Sequence, residues 1–191
     1  MSTEQSKAQD VVTASSIMRP TGADSARAGG VYSVECRDAS GNLKWSDAFH
    51  NLVVNEGLQD MNSKYFSGSG YSAAWYLGLV TGPGSGTSFA AADTLASHAG
   101  WTENTAYTGN RKAVTFGTAT TADPSVITNS GSPSSFTMNA NAQTIAGAFL
   151  CSVDTGTSGV LFSAGDFTGG DKIVDSGDTL SVTYTFSLDA A

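Results

Sequence analysis

The sequence predicts a mainly β fold: an antiparallel β-sandwich, jelly-roll-like, with one short α-helix and an extended N-terminal arm. Short runs alternating apolar and polar residues recur between Gly-, Pro- and Asn-rich turns. Their spacing of roughly 8–12 residues is the pattern of sandwiches and barrels. The last run is unbroken: Leu180, Val182, Tyr184, Phe186 and Leu188 alternate with Ser181, Thr183, Thr185 and Ser187. One face of such a strand is buried and the other is wet, as antiparallel sheets require. A single stretch, after Asn55, switches to the helical period.

Residues 1–29 read as the arm, being polar, rich in Ser, Ala and Thr, and without sustained periodicity. Such a segment holds too little apolar surface to fold alone. Its Val11, Val12, Ile17, Met18 and Arg19 are therefore candidate contacts to a partner. Residues 30–191 read as the sandwich domain, whose first strand begins at Val31 with Tyr32, Val34 and Cys36 on one face. Asp38 to Asn42 has turn chemistry, after which Leu43, Trp45 and Phe49 resume the every-second-residue stripe and complete a hairpin.

Asn55 reads as a helix cap, with Glu56 in the first turn near the positive end of the dipole. Leu58, Met61, Tyr65 and Phe66 then share one helical face, expected to pack on the sheet, and Ser67 to Gly70 stops the helix. Trp75, Leu77 and Leu79 begin the next strand. Thr81 to Asn110 is a long excursion opened by Gly82 to Gly86, with a helical turn expected around Asp93 to His98. Loops of that length in a compact domain are usually functional or partner-bound. Beyond Arg111, strands are expected at Val114–Phe116, Phe136–Met138, Ile145–Val153, Val160–Phe162 and Leu180–Leu188.

Charge narrows the partners. The net charge is −8, and past residue 112 a single basic side chain, Lys172, stands against seven aspartates. Such a surface repels a phosphate backbone, so no nucleic-acid partner is expected. Charged residues make up 14% of the chain, below the roughly 25% of ordinary soluble domains. The first thirty residues hold no apolar run of the length a secretory leader needs. No stretch approaches the ~18 apolar residues of a membrane span, and no membrane partner is expected. Cys36 and Cys151 fall on apolar stripes and read as buried free thiols.

Catalysis needs convergent titratable or nucleophilic groups, and the sequence points to none. Two histidines, His50 and His98, stand apart, and no nucleophile elbow is present. Gly82 to Gly86 lacks the Lys-Ser/Thr that ends a phosphate-binding loop. Asp166, Asp171, Asp175 and Asp178 sit among glycines, yet their spacing matches no calcium loop and suits ordinary turns. No catalytic residue, cofactor or metal is assigned. The aromatic residues of the long loop leave two readings. Phe89, Trp101 and Tyr107, near Asn104 and Asn110, either anchor the loop to the core or stand exposed as contacts to a sugar or protein.

From His50 onward, HNLVVNEGLQDMNSKYF, AWYLGLV, HAGWTE, RKAVTFGTATTADPSVITNS, SFTMNA, IAGAFLCSV, GVLFSAGDF and GDTLSVTYTFSL follow in order. This series resembles virion-associated proteins of tailed phages, in particular capsid decoration, or cement, proteins. The resemblance covers roughly residues 43–188 and leaves out the arm. It implies a structural protein, not an enzyme, made in the host cytoplasm and bound to the outside of the capsid. The implied partners are the major capsid protein and further copies of the chain, a trimer being the natural guess on a symmetric shell. The competing implication is a tail or fibre component that binds a host-surface glycan.

Overall fold

The computed structural model describes residues 26–71, 74–81 and 87–190. Val11, Val12, Ile17, Met18 and Arg19 lie outside the described residues. In chain order the elements are β1 (Ala26–Arg37), β2 (Leu43–His50), β3 (Leu52–Val53), α1 (Asn55–Tyr65), β4 (Tyr76–Thr81), β5 (Thr102–Asn104) and β6 (Lys112–Ala113). They continue with β7 (Ser125–Thr128), β8 (Ser134–Thr137), β9 (Gln143–Ile145), β10 (Gly147–Cys151), β11 (Leu161–Asp166), β12 (Lys172–Val174) and β13 (Thr179–Ala190).

Among the described residues the fold is mainly β, with antiparallel sheets and one helix, arranged as a sandwich. One sheet runs β2-β1-β13-β7, and β8 also pairs with β13; the other runs β3-β11-β10-β4-β5, and β6 also pairs with β4. A ribbon of β12 and β9 completes the fold. The inward rows of β1 and β13 are the ones the alternation predicts. Tyr32, Val34 and Cys36 face Tyr184, Val182 and Leu180 in register, and all six are buried. A polar network crosses the core between the sheets. Ser163 Oγ lies 2.8 Å from the Tyr32 hydroxyl and 3.3 Å from that of Tyr184, which also accepts from Asn51 Nδ2 at 2.9 Å.

Behind the second sheet lies a second core. Every residue of β10 is buried, because Ala148 and Leu150 point into the space between the sheets while Phe149 and Cys151 point the other way. Leu95 and Trp101, from the long connection after β4, cover this outer face. That connection contains a bridged turn at Thr94–Ser97, not the expected helical turn, and its end forms β5 against β4.

Three further local expectations change. The first strand begins at Ala26, not Val31, because β13 continues to Ala190 and offers a pairing partner for every residue from Ala26 on. Val114–Phe116 is not a strand: β6 ends at Ala113, although Val114 N–H still donates to the Trp75 carbonyl at 2.8 Å and Phe116 packs on the core.

The third change is the largest. Val54 is the N-cap of α1 and Asn55 is already helical, its N–H donating to the Ala91 carbonyl at 2.8 Å. The helix then buries Gly57, not Leu58. A Cβ at Gly57 would stand 2.5 Å from the Phe162 carbonyl oxygen, so the helix lies against β11 only where that atom is missing. This contact fixes the rotation of α1, leaving Met61 half-buried and turning Leu58, Tyr65 and Phe66 outward.

Candidate interaction surface

The loop aromatics resolve toward the anchoring reading. Trp101 is buried, its indole N–H donating to Asp93 Oδ2 at 3.1 Å. His98 stacks on it at 3.7 Å between ring centroids, and Phe149 and Phe89 pack at 5.2 and 5.8 Å. Asp93 also accepts from the Ala90 N–H at 3.0 Å, so a single carboxylate ties the turn to the tryptophan. Phe89 is half-buried in the same cluster.

Tyr107 is also buried, edge-on to Phe136 at 4.9 Å and beneath Lys112 Nζ. Burial first, and the nearby Glu103 carboxylate second, push its phenol well above the ordinary range. Arg111 grips that same Glu103 through two hydrogen bonds of 2.8 and 2.7 Å and donates to the carbonyls of Val153 and Gly156. It stitches β5 to the loop after β10. Neither Trp101 nor Tyr107 presents a free face to a partner in the isolated chain.

The remaining polar candidates have structural partners or stand alone. Glu56 accepts from the Leu161 N–H at 2.8 Å. Asp178 is buried and receives Lys44 at 2.5 Å, with Asp175 at 3.6 Å from the same ammonium. That partnership raises the Lys44 pKa. His50 is exposed at the end of β2. Among the described residues, no group of three or more His, Cys, Asp or Glu is placed to hold a metal ion, and no helix is long and apolar enough to cross a membrane.

The surface that stands out lies at the end of α1, where sequence reasoning expected core. Tyr65 is 83% and Phe66 78% exposed, with the rings edge-on at 4.9 Å. Tyr71, Leu58 and Leu188 add further exposed apolar area. The chain after the helix is folded back against it: Lys64 Nζ donates to the Gly70 carbonyl at 3.1 Å, Ser69 Oγ to the Ser63 carbonyl at 2.9 Å, and Trp75 Nε1 to the Tyr71 hydroxyl at 3.0 Å. Between these residues and Leu188 runs a groove of about 410 Å³. It meets a second apolar hollow of about 280 Å³ that reaches between the sheets to Phe116, Ile127 and Phe186. The two share Met61, Tyr71 and Trp75.

Exposed aromatics grouped this way on a protein surface mark a place where something else docks. Sequence carried no signal for it: Tyr65 and Phe66 fall at i+7 and i+8 of the apolar stripe that begins at Leu58, the pattern of a core-facing helix. No protein-family profile, curated protein or solved structure matches the chain.

Proposed function

We propose that this protein is a structural component of a tailed-phage particle, a decoration or cement protein that binds the outside of the capsid and stabilises it without catalysis. Its partners on this reading are the major capsid protein and further copies of itself in a trimer, at the virion surface, with no cofactor, nucleic acid or membrane involved. The supporting observation is the exposed aromatic surface of Tyr65, Phe66 and Tyr71 at one end of the sandwich, beside the strand end where the N-terminal arm joins at Ala26. The ordered series of segments that resembles such proteins supplies the capsid. Binding to the assembled shell alone stabilises it by mass action, by about 2.7 kcal/mol per site when free protein stands at a hundred times Kd.

A glycan-binding tail or fibre protein is the competing reading, and the packed Trp101 loop weighs against a sugar site there. Co-sedimentation with isolated phage heads tests the choice, using the full chain and a form beginning at Ala26. The truncation must stop at Ala26, because residues 26–29 pair with β13. Saturable binding at many copies per head, lost in the truncated form, is the expected result. Absence of binding to heads by the full chain overturns the capsid reading.

A further inference from the structure

The apolar hollow that reaches between the sheets lies behind the exposed aromatic surface. Leu150 of β10 and Phe162 of β11 wall it on one side, and Ile127 of β7 with Tyr184 and Phe186 of β13 on the other. Met61 is the contribution of α1. The rotation that turns Leu58, Tyr65 and Phe66 outward keeps those larger side chains from filling the space. Its walls are fixed by their own contacts: Trp75 stands edge-on to Phe162 at 5.3 Å, and Phe162 edge-on to Phe186 at 5.4 Å. A pocket walled in advance asks little ordering of the protein when something enters it.

The lining sets the chemistry and the size of an occupant. No charged side chain borders the hollow. Its polar atoms already have partners. Trp75 Nε1 donates to the Tyr71 hydroxyl at 3.0 Å, and the Tyr184 hydroxyl accepts from Asn51 Nδ2 at 2.9 Å and lies 3.3 Å from Ser163 Oγ. A carboxylate, an ammonium or a sugar would give up its water there and find nothing in exchange. The volume of about 280 Å³ exceeds the roughly 150 Å³ of an apolar cavity that takes benzene. It falls just short of the roughly 300–1,000 Å³ of pockets for whole small molecules. That is room for one large apolar side chain.

We infer that the hollow receives a single large apolar side chain of the major capsid protein, inserted past Tyr71 and Trp75 while Tyr65 and Phe66 pack around it. The inference rests on the capsid reading and sharpens it, by naming the place and the chemistry of the anchor. Continuity carries it: the hollow and the surface groove share Met61, Tyr71 and Trp75, so a segment lying in the groove has the hollow directly beneath it. An anchor in a desolvated pocket, ringed by contacts that exclude water, holds more of the binding energy than the ring does.

Toluene, the phenylalanine side chain as a free molecule, is the probe, and Ile127→Trp is the variant. Ile127 lines the hollow and not the groove, so tryptophan there fills the hollow from within and leaves Tyr65, Phe66 and Tyr71 in place. Toluene is expected to raise the melting temperature of the wild-type full chain and not that of Ile127→Trp, and the variant is expected to bind isolated phage heads at least tenfold more weakly. No rise in the wild type overturns the inference, because the hollow then takes no apolar group. A rise in the form beginning at Ala26 but not in the full chain overturns it too, by giving the hollow to the chain's own upstream residues. Wild-type affinity for heads in a folded Ile127→Trp strikes this inference and leaves the capsid reading standing, whereas a wild-type chain that does not bind heads strikes both. Should the variant not fold, wild-type binding to heads in saturating toluene decides: a drop supports the anchor, and undiminished binding overturns it.

Discussion

The long loop after β4 and the end of α1 each carry aromatic residues, and the fold treats them in opposite ways. Trp101 sits in a polar, glycine-flanked loop and ends up 1% exposed, whereas Phe66 continues an apolar helical stripe and ends up 78% exposed. The difference lies in what stands opposite. Phe149 and Cys151 on the outer face of β10 form an apolar floor that needs a cover, and Asp93 and His98 hold Trp101 over it. The helix, in contrast, is held by Gly57 against the backbone of Phe162, a contact that sets its rotation and leaves the aromatic pair no wall to meet. Aromatic residues are buried where a complementary surface exists, and local periodicity does not reveal where that is.

Substitutions at the two sites test this contrast. Trp101→Ala is expected to cost about 3–5 kcal/mol of folding stability, the range for emptying a large aromatic site. A loss under about 1 kcal/mol in chemical denaturation would show that the loop is a loose flap and dissolve the contrast.

Gly57→Ala is expected to cost about 1–3 kcal/mol, as for other overpacked contacts. It must also move α1 away from β11, which a change in fluorescence of the adjoining Trp75 would report. Unchanged stability and fluorescence would mean that something other than Gly57 sets the helix rotation.

A third effect reads the cores through their titratable groups. Burial pushes the Cys36 thiol from its ordinary 9.0 up to about 11, with Asp178 adding to the shift and Lys44 opposing it. A group whose pKa is higher in the folded state contributes stability that is full below its unfolded pKa and fades as pH rises through the folded value. Cys151, Lys44, Tyr32 and Tyr184 are shifted in the same direction. The melting temperature is therefore expected to fall between about pH 9 and 11. Cys36→Val, which removes one of these protons at similar volume, makes that fall shallower; an identical slope in wild type and variant would contradict the assignment.

The smallest effect on folding belongs to Phe66→Ser, within about 0.5 kcal/mol, as for exposed positions generally. The same change is expected to weaken attachment to phage heads, read by co-sedimentation. Full binding by this variant would remove Phe66 from the docking surface.

Much of the fold was legible in the chain. The alternation of β1, β2 and β13 placed Tyr32, Val34, Cys36, Val182 and Tyr184 in the core because a strand with one wet face writes its burial with period two. The short helix after Val54 and its stop at Ser67 were equally plain. β10 was only half readable: its residues are buried on both faces, so the stripe said nothing of the second core behind it. β5 and the first five residues of β1 were not readable, since Thr-Glu-Asn and Ala-Arg-Ala-Gly-Gly have no strand pattern and pair only because β4 and β13 offer them open edges.

For the interaction surface, the sequence by itself determined that aromatic residues would cluster near the helix and in the loop, because composition and spacing are local facts. Only the tertiary structure decided which cluster became core and which became surface. That choice turns on contacts between residues about a hundred positions apart, Gly57 with Phe162 on one side, and on the cover that Trp101 supplies for Phe149 on the other. A one-dimensional pattern states which residues avoid water, while the partner that shields each of them is chosen by packing in three dimensions.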